Sequence, residues 1–144
     1  MLHVLIADDD AAIRGLLATI LGTSECTVDL VTNGLEAIRA FADRKYDLVI
    51  TDLEMPRLDG RELTRAIRQL DTSVPVVMIT GCTDTNTMAP DLVETGVDKV
   101  ISKPFQIAEI LALKSLLPQK PVTSGVRAEH AADFPFRMVN SRLP

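Results

Sequence analysis

The sequence predicts a doubly wound α/β fold, a parallel sheet of five strands with helices on both faces, and three observations carry that prediction. Short apolar runs rich in β-branched residues recur at Leu2 to Ala7, Thr27 to Val31, Tyr46 to Thr51, Val74 to Thr80 and Val97 to Ile101. Four of these five runs are nearly continuous in apolarity, as strands buried on both faces are. Segments of helical spacing lie between them, and strand–helix alternation is the pattern of βα units joined by right-handed crossovers.

Each connection has its own local signal. Ile13, Leu16, Leu17, Ile20 and Leu21 follow i, i+3, i+4, i+7, i+8, so the first connection is a helix with one apolar stripe. Asn33 is placed to cap a second helix carrying Ala37, Ile38 and Phe41. Leu63, Ala66, Ile67 and Leu70 mark a third, after a turn from Pro56 to Gly60. The fourth connection, Gly81 to Gly96, is polar and Thr-rich in its first half and interrupted by Pro90, so only Ala89 to Glu94 is expected to be helical. A fifth helix begins after Pro104, with Ile107, Ile110, Leu111 and Leu117 apolar, and Pro118 stops it. From there the text turns to Pro, Ser, Gly and scattered charge, with Phe134, Phe136, Met138 and Val139 as isolated apolar points. Residues 1–117 are therefore read as one domain and 118–144 as a flexible tail or linker stub.

With 144 residues and 47% hydrophobic content, the chain has the material for one core without staples. Cys26 and Cys82 sit in apolar segments without metal-ligand spacing and read as buried, reduced thiols. The N-terminus lacks a basic n-region and no stretch approaches spanning length, so a soluble, cytoplasmic protein is expected. A net charge of −5 disfavours binding of nucleic acid by this domain.

Ligands of doubly wound sheets bind at the carboxyl ends of the strands. Asp8, Asp9 and Asp10 follow the first strand directly, and Asp52 follows the third in Val49-Ile-Thr-Asp-Leu-Glu-Met-Pro. If those strands are neighbours, the carboxylates converge, and their repulsion calls for protonation or for a cation. Hard oxygen donors point to Mg²⁺. The competing reading is an acidic loop that only caps the first helix, a role that suits Asp10. Thr80 and Lys103 tip the balance, because each ends a later strand, in Met78-Ile-Thr-Gly and Ile101-Ser-Lys-Pro-Phe. A hydroxyl and a cation meeting an anion cluster are the equipment of phosphoryl transfer. An aspartate nucleophile with an ordinary pKa of roughly 3.9 is ionised at neutral pH and needs no general base.

Taken together, Asp8-Asp9, Asp52 followed by Met55-Pro56 and Asp59-Gly60, Thr80-Gly81 and Lys103-Pro104-Phe105 resemble the motif set of response regulator receiver domains of two-component signal transduction, from Leu2 to about Leu117. The resemblance implies a flavodoxin-like (βα)5 sandwich with strand order 2-1-3-4-5, the order known for flavodoxins and this family. It implies that Asp52 accepts phosphate from the phosphohistidine of a sensor histidine kinase or phosphotransfer protein. Asp9 and Asp52 would hold Mg²⁺, Asp8 would act mainly through a metal-held water, and the Glu54 backbone carbonyl would be a further ligand. Lys103 would pair with the phosphoryl oxygens, and Thr80 would bond one of them and report phosphorylation to an output protein. The Lys103-Pro104 bond would be cis, and a homodimer is compatible with the family. Such a domain is a phosphoacceptor switch, catalysing only its own phosphorylation and dephosphorylation.

Two positions depart from the family pattern. Val100 stands where an aromatic switch residue is usual, and a β-branched side chain with few rotamers cannot swing as a ring does. The fourth connection is also unusually polar, so ordering of Gly81 to Pro90 on Thr80 is the expected route of response. Three further readings compete. A haloacid-dehalogenase-type phosphatase would use Asp8-Asp9-Asp10 but leaves Asp52 unexplained, a flavodoxin-like cofactor protein would need a Ser/Thr/Gly cradle in place of the acidic loop, and a degenerate receiver would have lost site positions that are all filled here.

Overall fold

The computed structural model describes residues 1–23, 25–81, 90–118 and 136–138. In order the elements are β1 (Leu2–Ala7), α1 (Ala11–Leu21), β2 (Cys26–Val31), α2 (Gly34–Asp43), β3 (Leu48–Asp52), α3 (Gly60–Leu70), β4 (Val76–Thr80), α4 (Pro90–Val93), β5 (Lys99–Ser102), α5 (Ile107–Ala112) with a 3₁₀ turn at Leu113–Leu116, and β6 (Phe136–Met138). The strands form one sheet of order β5-β4-β3-β1-β2-β6, and every pairing is parallel. The first five strands take the expected 2-1-3-4-5 arrangement, so the winding reverses between β1 and β3, where such sheets open a crevice.

Alternation along the central strands feeds two cores. Val4, Ile6, Val28, Leu30, Leu48, Ile50, Val77 and Ile79 pack with Leu17, Ala18 and Leu21 of α1 and with Ile110, Leu113 and Leu117. Leu5, Ala7, Val31, Val49, Val76 and Met78 face the other way, against Ala37, Phe41, Leu63, Ile67 and Leu92. Strands apolar on both faces are the consequence of being covered twice. The caps are local: the Asp10 side chain accepts from Ala12 and Ile13, Asn33 from Glu36, and Asp59 forms a capping box with Glu62. One buried carboxylate, Asp29, is met by the Tyr46 hydroxyl at 2.7 Å and by Arg44 at 3.3 Å.

Several expectations need correction. Leu16, Leu70, Ile107 and Leu111 lie at 42%, 60%, 58% and 44% exposure, while Ala18 and Leu113 take buried places in the first core. The helices pack on a narrower stripe than their apolar periodicity suggests, because each has only one sheet face to cover. Pro90 is the first residue of α4 rather than an interruption, a position where its missing N–H costs nothing. The 3₁₀ turn ends the last helix before Pro118. Cys26 is buried and free; Cys82, and with it residues 82–89 of the segment expected to order on Thr80, lies outside the described residues. Within the stretch read as a tail, Phe136–Met138 extends the sheet beside β2. Among the described residues, no helix is long and apolar enough to cross a membrane.

Candidate functional site

The polar residues singled out from the sequence come from strand ends, and parallel neighbours place those ends at one edge. Ala7 is level with Thr51, Asp52 with Ile79, and Thr80 with Ser102. Asp8, Asp52, Thr80 and Lys103 therefore leave β1, β3, β4 and β5 side by side. Asp8, Asp9 and Asp52 each offer a carboxylate oxygen, all within 4.8 Å of one another. Asp8 is 1% and Asp52 8% exposed, whereas Asp9 faces solvent. Lys103 Nζ lies 3.3 Å from Asp52 and 3.4 Å from Asp8.

Backbone contacts hold this geometry. The Asp10 N–H donates to Asp8 Oδ1 at 2.8 Å, and the Asp10 side chain itself turns away to cap α1. The Leu53 N–H donates to the Ile79 carbonyl at 3.0 Å, the Gly60 N–H to the Leu53 carbonyl at 2.8 Å, and the Lys103 N–H to the Thr80 carbonyl at 2.7 Å. Gly60 has to be glycine: a Cβ there would collide with the Asp52 carbonyl and the Leu53 Cα. In the loop after β3, Arg57 has φ 70°, a left-handed conformation costing a non-glycine residue about 1–2 kcal/mol. The Lys103-Pro104 bond is cis. Glu54 follows two residues after Asp52 with its side chain in solvent, and Val100 is half-buried, level with Met78 and packed on the second core.

Electrostatics follow from this crowding. Burial raises the Asp8 carboxyl above its ordinary value, against the Asp10 N–H and Lys103. Burial, then Asp8, raises Asp52, again opposed by Lys103. Burial pulls Lys103 down, but the two carboxylates outweigh it and hold the ammonium above its ordinary value. Three converging carboxylates, two of them destabilised as anions, suit a hard divalent cation of the Mg²⁺ type, which carries the positive charge that Lys103 alone supplies only in part.

Two contributors escaped the sequence reading. Thr51, fully buried, donates its hydroxyl to the Asp52 carbonyl at 2.9 Å; a hydroxyl inside an apolar strand was the available signal, since it has to find a partner. Arg14 donates to the Asp8 carbonyl at 2.7 Å, and nothing in its local sequence distinguishes it from a solvated helix charge.

The acidic, lysine-bearing pocket thus stands at the carboxyl edge of a doubly wound sheet, the place where α/β proteins of this class bind their ligands. The family model of the response regulator receiver domain matches residues 4–114, and the chain belongs to that family. It is 37% identical over 113 residues to the transcription factor SKN7 of Candida albicans, covering 78% of this chain and 20% of that protein. It is 31% identical over 131 residues to the response regulator MprA of Mycobacterium ulcerans, covering 90% of this chain and 56% of that protein. The chain thus spans from a fifth to somewhat over half the length of these curated relatives. Among solved structures it resembles the chemotaxis response regulator CheY4 of Vibrio cholerae, with TM-score 0.74, 27% identity and coverage of 81% and 99% of the two chains. The phosphatase alternative finds no support: Asp10, the second carboxylate of its Asp-x-Asp pair, is committed to capping α1.

Proposed function

We propose that this chain is a phosphorylation switch in which Asp52 takes a phosphoryl group from the phosphohistidine of a sensor histidine kinase or phosphotransfer protein. The observation that carries this reading is the placement of Asp52, nearly buried at the end of β3 and flanked by Lys103 and by the Asp8 and Asp9 carboxylates. A carboxylate oxygen of Asp52 forms the P–O bond as the donor P–N bond breaks, and that bonding pair returns to the imidazole nitrogen. Lys103 pairs with the phosphoryl oxygens, and Thr80, buried beside it at the end of β4, offers its hydroxyl to one of them. Asp8, Asp9, Asp52 and the Glu54 carbonyl would hold Mg²⁺, which when bound neutralises charge on the phosphoryl oxygens.

The receiver domain proper is residues 1–117, to whose sheet Phe136–Met138 adds an edge strand, and it acts in the cytoplasm by altering its contacts with an output protein rather than by turning over a substrate. Acetyl phosphate with Mg²⁺ should label Asp52, mapped by mass spectrometry after borohydride trapping, and Asp52→Asn should abolish the label. A label at another residue would overturn the assignment, and turnover of a generic phosphatase substrate would overturn the switch.

A further inference from the structure

Arg14 lies in the first turn of α1, shortly after Asp8, Asp9 and Asp10, yet among the described residues it forms no ion pair. Its guanidinium instead reaches back six residues to the backbone carbonyl of Asp8, at 2.7 Å. An arginine present only to neutralise Asp8, Asp9 and Asp10 would fork onto a carboxylate, where a charge-assisted bond is strongest. This one is aimed at a peptide group.

The other polar groups of Asp8 are committed too. Its N–H donates to the Val31 carbonyl at 3.2 Å, Oδ1 accepts from the Asp10 N–H, and Oδ2 faces Lys103. Its carbonyl is the first beyond the β1–β2 and β1–β3 ladders, which end at Ala7. That carbonyl shares one rigid plane with the Asp9 N–H, so fixing it fixes the direction in which the chain enters Asp9. Asp9 needs such a constraint. It is exposed, and among the described residues its side chain makes no hydrogen bond, yet it completes the three-carboxylate cluster.

The geometry points to Arg14 as a positioning residue for the cation site: through the Asp8–Asp9 peptide plane it holds the Asp9 carboxylate where the metal needs it. The inference rests on the Mg²⁺-dependent reading above and adds a residue of the surrounding shell. Such supporting contacts typically change metal affinity by about 10–100-fold.

The test is Mg²⁺ affinity measured by calorimetry or amide NMR titration on the full chain, for wild type, Arg14→Met, Arg14→Lys, Asp9→Ala and the Arg14→Met/Asp9→Ala double variant. Arg14→Met should bind about tenfold more weakly. Arg14→Lys should recover part of that loss, because an ammonium can still donate to a carbonyl. The double variant should bind no more weakly than Asp9→Ala alone, since Arg14 acts through Asp9. Without metal, the Asp9 amide should exchange faster in Arg14→Met. If wild type binds Mg²⁺ and Arg14→Met binds it equally, or if the two losses add, the positioning role is wrong while the phosphoswitch reading stands. If wild type binds no Mg²⁺, both fall.

Discussion

Lys103 Nζ stands 3.3 Å from the Asp52 carboxylate while also reaching Asp8 at 3.4 Å, so one ammonium from the loop after β5 is divided between two carboxylates from β1 and β3. Lys103→Met should therefore leave two nearly buried anions without this counter-charge. Phosphorylation of Asp52 by acetyl phosphate should slow by about 10²-fold or more, the scale for losing one donor to developing oxyanion charge. Because the folded pKa of Lys103 is raised, its stabilising contribution is fully present below the ordinary value of 10.5 and is lost as pH rises through the folded value. Urea denaturation of both proteins should show the stability gap closing on the alkaline side; a constant gap up to the highest pH would contradict the pairing.

Asp52→Asn should stabilise the protein in chelator. The folded carboxyl of Asp52 is raised by burial and by Asp8, so it binds more protons folded than unfolded between the ordinary value of 3.8 and its folded pKa. Its contribution is favourable at low pH and is lost as pH rises through the folded value. The amide variant should melt higher than wild type at neutral pH, and the gain should vanish below pH 3.8. A destabilised amide variant at neutral pH would mean that Lys103 outweighs the repulsion.

Mg²⁺ should raise the melting temperature of wild type, because it relieves the same repulsion and binds only the folded arrangement. At ten times the dissociation constant the linkage is about 1.4 kcal/mol, roughly 5 °C. Asp9→Ala removes one corner of the cluster and should abolish most of the shift at that concentration. An undiminished shift would place the ion elsewhere.

Gly60→Ala should damage the acceptor more than its position at the start of α3 suggests. Its Cβ would press on the Asp52 carbonyl and the Leu53 Cα, backbone that cannot give as a flexible side chain can. A loss of about 1–3 kcal/mol by urea unfolding is expected, together with slower labelling of Asp52. Normal labelling in a variant so destabilised would show that the strain is absorbed by α3.

Removal of residues 119–144 should expose the β2 edge now paired with Phe136–Met138. Amide exchange in Cys26–Val31 should quicken in the shortened chain while β3 and β4 stay protected. Unchanged exchange along β2 would mean that the sixth strand adds no protection.

The site was legible in the sequence because its residues obey a local rule. Asp52 and Thr80 end β3 and β4, Asp8 and Lys103 directly follow β1 and β5, and in a parallel sheet all such stops fall on one edge. The Asn33 and Asp10 caps were legible for the same reason, since a cap bonds within three residues of itself. The parallel sheet was readable from βα alternation, and its strand order followed from resemblance to a family rather than from any spacing.

What the tertiary structure alone decided is whatever depends on where one element ends against another. Periodicity marks an apolar stripe on α1, α3 and α5 but not how much of it the sheet covers, so the exposure of Leu16, Leu70, Ile107 and Leu111 had no sequence signal. Pro90 reads as a breaker until its place in the first helical turn is known. Pairing of Phe136–Met138 with β2 joins residues far apart in the chain through backbone hydrogen bonds, which carry no side-chain signature. The bond from Arg14 to the Asp8 carbonyl is likewise addressed to a peptide group that every residue possesses. Local hydrogen bonding and hydrophobic period are written in residue types; packing limits and backbone-directed contacts arise only when the chain has closed on itself.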